Sequence, residues 1–141
     1  RGVEAANDLN RAAIRAMVPF EVSRLCEALR ADLAAMSDAA AIARFVAAGI
    51  RRVTPESVSS HLRVWAGERS LQWEWDEGEC FAYKGMQRFG WLDGYRCGVI
   101  YRIECWLEAL GVRPRGVPVV EHCVMDSSGR CAGGLELSLP A

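Results

Sequence analysis

The sequence has no apolar run near the roughly 20 residues that a bilayer-spanning helix needs, and no leader of the secretory kind. Its formal net charge is only -1, so no global field points to nucleic acid or to an acidic lipid surface. The basic stretches "RRV" at Arg51 to Val53 and "RPR" at Arg113 to Arg115 are too short to change that. Catalytic signatures are missing as well. No glycine-rich phosphate loop precedes a helix, no H-x-E pairs with P-C-x-x-C for a zinc deaminase, and no Ser, His and Asp order suggests a triad. Glu74, Asp76, Glu77 and Glu79 crowd a turn, where a solvated hairpin tip explains them better than paired catalytic carboxylates do. There is no internal repeat, linker or low-complexity tract. These absences lead to an expectation: a cytoplasmic, non-enzymatic domain that binds neither nucleic acid nor membrane.

What is present suits one domain over residues 1–141. The composition, 51% hydrophobic and 25% charged, is that of an ordinary globular chain, and the length allows a sizeable core without obligatory staples. The chain opens on Arg1 rather than Met, as a piece of a longer protein would. The six cysteines are Cys26, Cys80, Cys97, Cys105, Cys123 and Cys131. Without an export signal, free core thiols plus metal ligands are a better reading than disulfides.

Periodicity divides the chain. "EAANDLNRAAIRAMV" predicts an alanine-rich helix interrupted at Pro19, with residues 1–18 an N-terminal helical extension or dimerisation arm. A second helix follows on the stripe Val22, Leu25, Leu29, Leu33 and Met36. Ser37-Asp38 caps a third over "AAAIARFVAAGI", ended or weakened at Gly49. "TPESVSSHLRVWAG" predicts a fourth, with Thr54 as N-cap, Pro55 at its first position and Gly67 as its stop. The period then changes. Leu71, Trp73 and Trp75 alternate with polar residues, Asp76-Glu77-Gly78 forms a turn, and Cys80 to Tyr83 returns as the second strand of a hairpin. "FGWLDGYRCGVIYRIECWLEALG" predicts one long helix on the stripe Leu92, Tyr95, Val99, Ile103, Trp106 and Leu110, with Gly94 and Gly98 together on another face. "RPRG" reads as a loop, "VPVVEHCVM" as a strand, "DSSGR" as a tight turn and "CAGGLELSL" as the last strand. The expected fold class is α+β: N-terminal helices, then an antiparallel four-stranded sheet from two hairpins with a long helix between them.

On that map Cys123 and Cys131 face each other across the mouth of the last turn. Cys97, off the apolar stripe of the long helix, approaches them if the helix packs on the hairpin. Three thiolates need a fourth ligand for tetrahedral zinc. Strand alternation favours Glu121, which shares a face with Cys123, whereas a local bulge would substitute His122. Cysteine also packs as a small hydrophobe, and the spacing C-x25-C-x7-C is no standard zinc-finger pattern. Cys26, Cys80 and Cys105 read as core thiols.

The segments "GWLDGYRCGVI", "LEALGV" and "VVEHCVMDSSGRCAGGLEL" resemble the 4-vinyl reductase domain family. That family includes the sensor domains of aromatic-responsive sigma-54-dependent activators and is related to Bet3-type subunits of the TRAPP tethering complex. Its mark is a glycine-containing helix, a strand carrying E-x-x-C, a short turn and a second cysteine. In the aromatic-sensor branch a helix cysteine, the two hairpin cysteines and the glutamate surround zinc. The resemblance, which covers about the last third of the chain, implies that Cys97, Cys123 and Cys131 bind Zn2+. Val120 stands where the family has its glutamate, so Glu121, His122 or neither completes the set. The resemblance also implies a regulatory sensor domain that binds a small apolar or aromatic ligand, forms a homodimer and signals to a fused or separate effector, as in transcription regulation. The alternative is a Bet3-like scaffold. Among the aromatics, Trp73 and Trp75 share one strand face and are the expected pocket walls. His61 and Tyr101 would contribute polar tips to the ligand.

Overall fold

The computed structural model describes residues 2–139. Its first element, α1 (Gly2–Leu29), is one uninterrupted helix with Pro19 inside it. Proline was expected to split this segment. Pro19 and Arg15, whose carbonyl loses its helical partner, are both exposed, while Ile14, Val18, Val22 and Leu25 are buried on the opposite stripe. Packing on both sides of the proline therefore outweighs the lost bond. The helix ends at Leu29 and not at Met36. Arg30 turns into the left-handed region (φ 50°), Ala31 N–H closes on Cys26 O at 2.9 Å, and Leu33 is left exposed in a short 3-10 turn. Asn7, Ile14 and Val18 are buried, so the first eighteen residues contribute to the core.

Helix α2 (Ala39–Val53) begins as the capping pattern predicts, with Asp38 Oδ1 accepting from Ala41 N–H at 2.7 Å. It runs straight through Gly49. A Cβ there would lie 2.9 Å from Cζ3 of Trp106, so this glycine serves close packing instead of termination. Thr54 closes α2, its hydroxyl donating to Ile50 O at 2.7 Å. The helix expected after it shrinks to a single turn, α3 (Glu56–Ser59).

Residues Leu62–Ala66 form strand β1, pairing antiparallel with β2 (Ser70–Trp75) so that Val64 stands opposite Trp73. In "LRVWA" Leu62, Val64 and Ala66 turn inward and Arg63 and Trp65 outward, a period of two hidden behind an apparent helix start. The partner assigned to β2 from sequence, Cys80 to Tyr83, instead opens helix α4 (Phe81–Phe89). The long helix is shorter than expected. Gly90 and Gly94 take positive φ in a loop, and α5 (Gly98–Ala109) starts only after Cys97. "RPRGV" is strand β3 (Arg113–Val117) and not a loop. The segment expected as its strand is irregular and ends in the short helix α6 (Val124–Ser128), before β4 (Ala132–Ser138).

The sheet order is β1-β2-β4-β3, antiparallel throughout, and the fold is α+β with a helix between the strand pairs. Leu71, Trp73, Trp75, Leu135 and Leu137 are buried beneath the helices. The other sheet face is polar and carries ion pairs between Arg63 and Glu74, Arg130 and Glu74, and Arg115 and Glu136. Trp73 stands opposite Gly133, where a Cβ would come within 2.9 Å of its ring. Helices α1 and α5 lie side by side, with Arg102 of α5 paired to Glu21 of α1. Among the described residues no helix is long and apolar enough to cross a membrane.

Candidate functional site: a cavity beside a thiol cluster

A cavity of about 330 Å³ opens between α1, the end of α2, α4 and α5. Its wall is mostly apolar because two amphipathic helices turn the same kind of stripe toward it. From α1 come Ile14 and Met17, and from α5 come Val99, Ile103 and Trp106. Trp75 at the end of β2 and Tyr95 in the loop before α5 complete the floor. The polar groups are few. Trp75 is 3% exposed, yet its indole N–H has no hydrogen-bond partner. The Tyr95 hydroxyl oxygen accepts from Gly98 N–H at 3.2 Å, which leaves its proton to donate. Burial pushes this phenol up to about 12, so it stays a donor at any physiological pH. Arg102 is held by Glu21, which also accepts from the Trp106 indole at 2.7 Å.

Of the four residues expected to line a pocket, Trp75 does. Trp73 is a core residue with its indole N–H likewise unpartnered. Tyr101 sits against α1, where its hydroxyl accepts from Arg15 Nε at 3.0 Å and Arg11 stacks on its ring 3.7 Å from the centroid. His61 lies at the hairpin end, with Nδ1 3.0 Å from Asp76 and Nε2 3.6 Å from Glu79. The wall residues that sequence reasoning missed had a legible signal. Asn10, Ala13, Ile14 and Met17 follow helical spacing on α1, and Val99, Arg102, Ile103 and Trp106 do so on α5.

The His61 cluster has its own consequence. Arg63, and after it His61, hold the Asp76 carboxyl below its ordinary value, and a hydrogen bond from Lys84 does the same for Glu79. Depressed folded-state values mean stabilisation that is complete above the unfolded pKa and lost as pH falls through the folded one. Asp76→Asn should therefore lower the melting temperature slightly at pH 6. The difference should shrink below about pH 4, the unfolded carboxylate range, and these partners are exposed enough to keep it small. Melting curves of both proteins across that range check it.

Beside the cavity four thiols gather, all of them free. Cys80 precedes α4, Cys97 precedes α5, Cys123 precedes α6 and Cys131 precedes β4. Backbone contacts bring these chain segments together. Cys97 N–H donates to Glu121 O at 2.9 Å, Trp75 N–H donates to Cys131 O at 2.9 Å, Arg96 bridges to His122, and Gly78 N–H reaches Met125 Sδ at 3.4 Å. Burial pushes the Cys97 thiol up to about 11, with smaller contributions from the charges of Cys80 and Cys123. Burial likewise takes Cys131 to about 12, and Cys80, Cys97 and Cys123 add to it.

Cys80 and Cys105, read from the sequence as core thiols, are buried in the core at 6% and 5% exposure. Glu121 is exposed and contributes only its carbonyl. His122, also exposed, places Nδ1 3.2 Å from Tyr95 O. Among the described residues no group of three or more His, Cys, Asp or Glu side chains is placed to hold a metal ion. Comparison with family models, curated proteins and solved structures finds no match for this chain.

Proposed function

We propose that this is a regulatory ligand-binding domain for a small, largely apolar molecule carrying one hydrogen-bond acceptor, with a metal ion as a structural staple. The cavity is the observation that supports this reading. Its volume of about 330 Å³ lies at the small end of ligand sites, which suits a single substituted ring. An unpartnered buried N–H is costly unless something accepts from it. Trp75, whose buried indole N–H has no partner, is part of the cavity floor. Tyr95, whose hydroxyl accepts from Gly98 N–H and keeps its own proton to donate, lines the same cavity. A ligand with a carbonyl, ether or phenolic oxygen would give a donor of this floor its acceptor and fill the apolar space with its body.

The test is a thermal-shift screen of small aromatic and alicyclic compounds with and without such an oxygen. A ligand at a hundred times its Kd adds about 2.7 kcal/mol, a rise of roughly 5–10 °C in a domain of this size. Val99→Trp fills the cavity from α5, and the rise should vanish in that variant while the protein stays folded. If no compound shifts the wild type, or if Val99→Trp shifts equally, the cavity is not a binding site.

A second reading, an interaction module, is favoured by the outer face of α1, where Leu9 and Phe20 are 73% and 75% exposed. It predicts an oligomer, homodimeric or mixed, that Phe20→Glu dissociates. Light scattering at two concentrations separates the readings, since a monomer throughout removes this one.

A further inference from the structure

Among the described residues, Arg102 is the one charged side chain in the cavity wall, and no carboxylate lines it. The polar groups of the wall converge on Gly98, at the buried start of α5. The Tyr95 hydroxyl stands 3.2 Å from Gly98 N. A Cβ on Gly98 would lie 2.6 Å from Nδ2 of Asn10, so the missing side chain is what admits the Asn10 amide. Arg102 follows one turn later on the same face of α5, about 6 Å along the axis. Glu21 holds its guanidinium from α1, with Nε donating to Oε2 at 3.1 Å and Nη2 paired to Oε1. Nη1 is left without a hydrogen-bond partner among the described residues. Glu21 is itself occupied, since Oε2 also accepts from the Trp106 indole. Met17 and Val53 line both the cavity and an outer groove, and that groove carries Arg24 and Arg52. Among the described residues neither of these arginines is in an ion pair. Cavity and groove together therefore set three guanidinium groups against the single carboxylate of Glu21.

Building on the ligand-binding reading, we propose that the molecule taken by the cavity is a small apolar carboxylic acid, bound as its anion, and that Arg102 is the residue that selects the charge. A carboxylate offers two oxygens with about four lone-pair sites, and its bonds to a guanidinium are about twice as strong as neutral ones. Glu21 fixes two nitrogens of the fork, so the third is held in place before any ligand arrives. The Arg102 side chain is 33% exposed and that of Glu21 12%, which keeps their charges from full screening by water. Glu21 opposes an incoming anion, and Arg24 and Arg52 offset it by concentrating anions at the groove. An amine would meet Arg102 and find no carboxylate in the wall. A neutral ligand would forgo the charge-assisted bond.

Titration calorimetry on the whole chain compares 3-phenylpropionate with its amide and with 3-phenylpropylamine at one ionic strength. The proteins are wild type, Arg102→Met, Glu21→Gln and Val99→Trp. The acid should bind about 10–100-fold more tightly than the amide, the worth of one hydrogen bond to a charged group, and the amine should not bind. Arg102→Met should remove the advantage of the acid and leave the affinity for the amide. Glu21→Gln takes away the opposing charge with Arg102 in place, and should tighten the acid by roughly 2–5-fold without changing the amide. Structural damage would weaken acid and amide alike, and Glu21→Gln decides the matter if Arg102→Met does not fold. An amide that binds as well as the acid, with both lost in Val99→Trp, overturns selection by charge and leaves the cavity reading standing. An acid preference that survives Arg102→Met, or acid binding undiminished in Val99→Trp, also overturns it. So does binding of none of the three to wild type, after which the thermal-shift screen shows whether the cavity takes any ligand.

Discussion

Trp106→Ala is expected to lower the stability of this domain by about 3–5 kcal/mol, the range for truncating a large buried aromatic. The indole is 2% exposed and joins three elements. Its ring lies against Gly49 of α2 so closely that a Cβ there would sit 2.9 Å from Cζ3. Its N–H donates to Glu21 of α1 at 2.7 Å, and Arg102 stands 5.8 Å from its ring. Truncation therefore creates a void, removes a charge-assisted hydrogen bond and leaves Glu21 with Arg102 as its partner. Denaturant unfolding should show a lower midpoint with an unchanged slope. Trp106→Phe, which keeps a ring but loses the N–H, should fall between. Gly49→Val presses on the same contact from the other side and should also destabilise, through overpacking. A loss below about 1 kcal/mol for Trp106→Ala would mean that α1, α2 and α5 do not meet at this residue.

Asn7→Leu should cost about 2–3 kcal/mol, from two backbone groups left unpaired at roughly 1–3 kcal/mol each. Asn7 is the buried polar residue of the core, 5% exposed. Its Nδ2 donates to Gly94 O at 2.8 Å, and its Oδ1 accepts from Arg96 N–H at 3.0 Å. One partner needs a donor and the other an acceptor, and the Asn7 amide supplies both while leucine supplies neither. Asn7→Asp should therefore recover part of the loss by keeping the bond to Arg96. The clamp holds the loop of residues 90–97, which carries Tyr95 and presents Cys97. Faster amide exchange confined to that loop in Asn7→Leu would confirm the role. Uniformly faster exchange would instead show a general loss of stability.

The α+β class and the α2 cap were legible because they depend on local pattern: alternation in "SLQWEW", helical spacing in α5, and an Asp three residues before the N–H it caps. Strand β1 was missed because Thr54-Pro55-Glu56 is a true helix start whose helix lasts one turn. Only the antiparallel register with β2 shows that "LRVWA" is extended. Strand β3 was missed because Arg-Pro-Arg-Gly has a turn's composition. Its place at the sheet edge, beside β4 alone, is where a proline is tolerated. The segment expected to pair with β2 is helix α4 instead, and Cys80 is buried in the core just ahead of it.

By itself the sequence determined what each segment could bury: which stripes are apolar and which residues cap. These properties follow from side-chain chemistry and from spacing along one short stretch of chain. Tertiary structure alone decided which stripes face a cavity and which face each other, that Pro19 leaves α1 whole, and that "RPRGV" is an edge strand. Such outcomes depend on contacts between residues tens of positions apart. Burial and backbone pairing across those distances outweigh local preferences that differ by only about 1 kcal/mol.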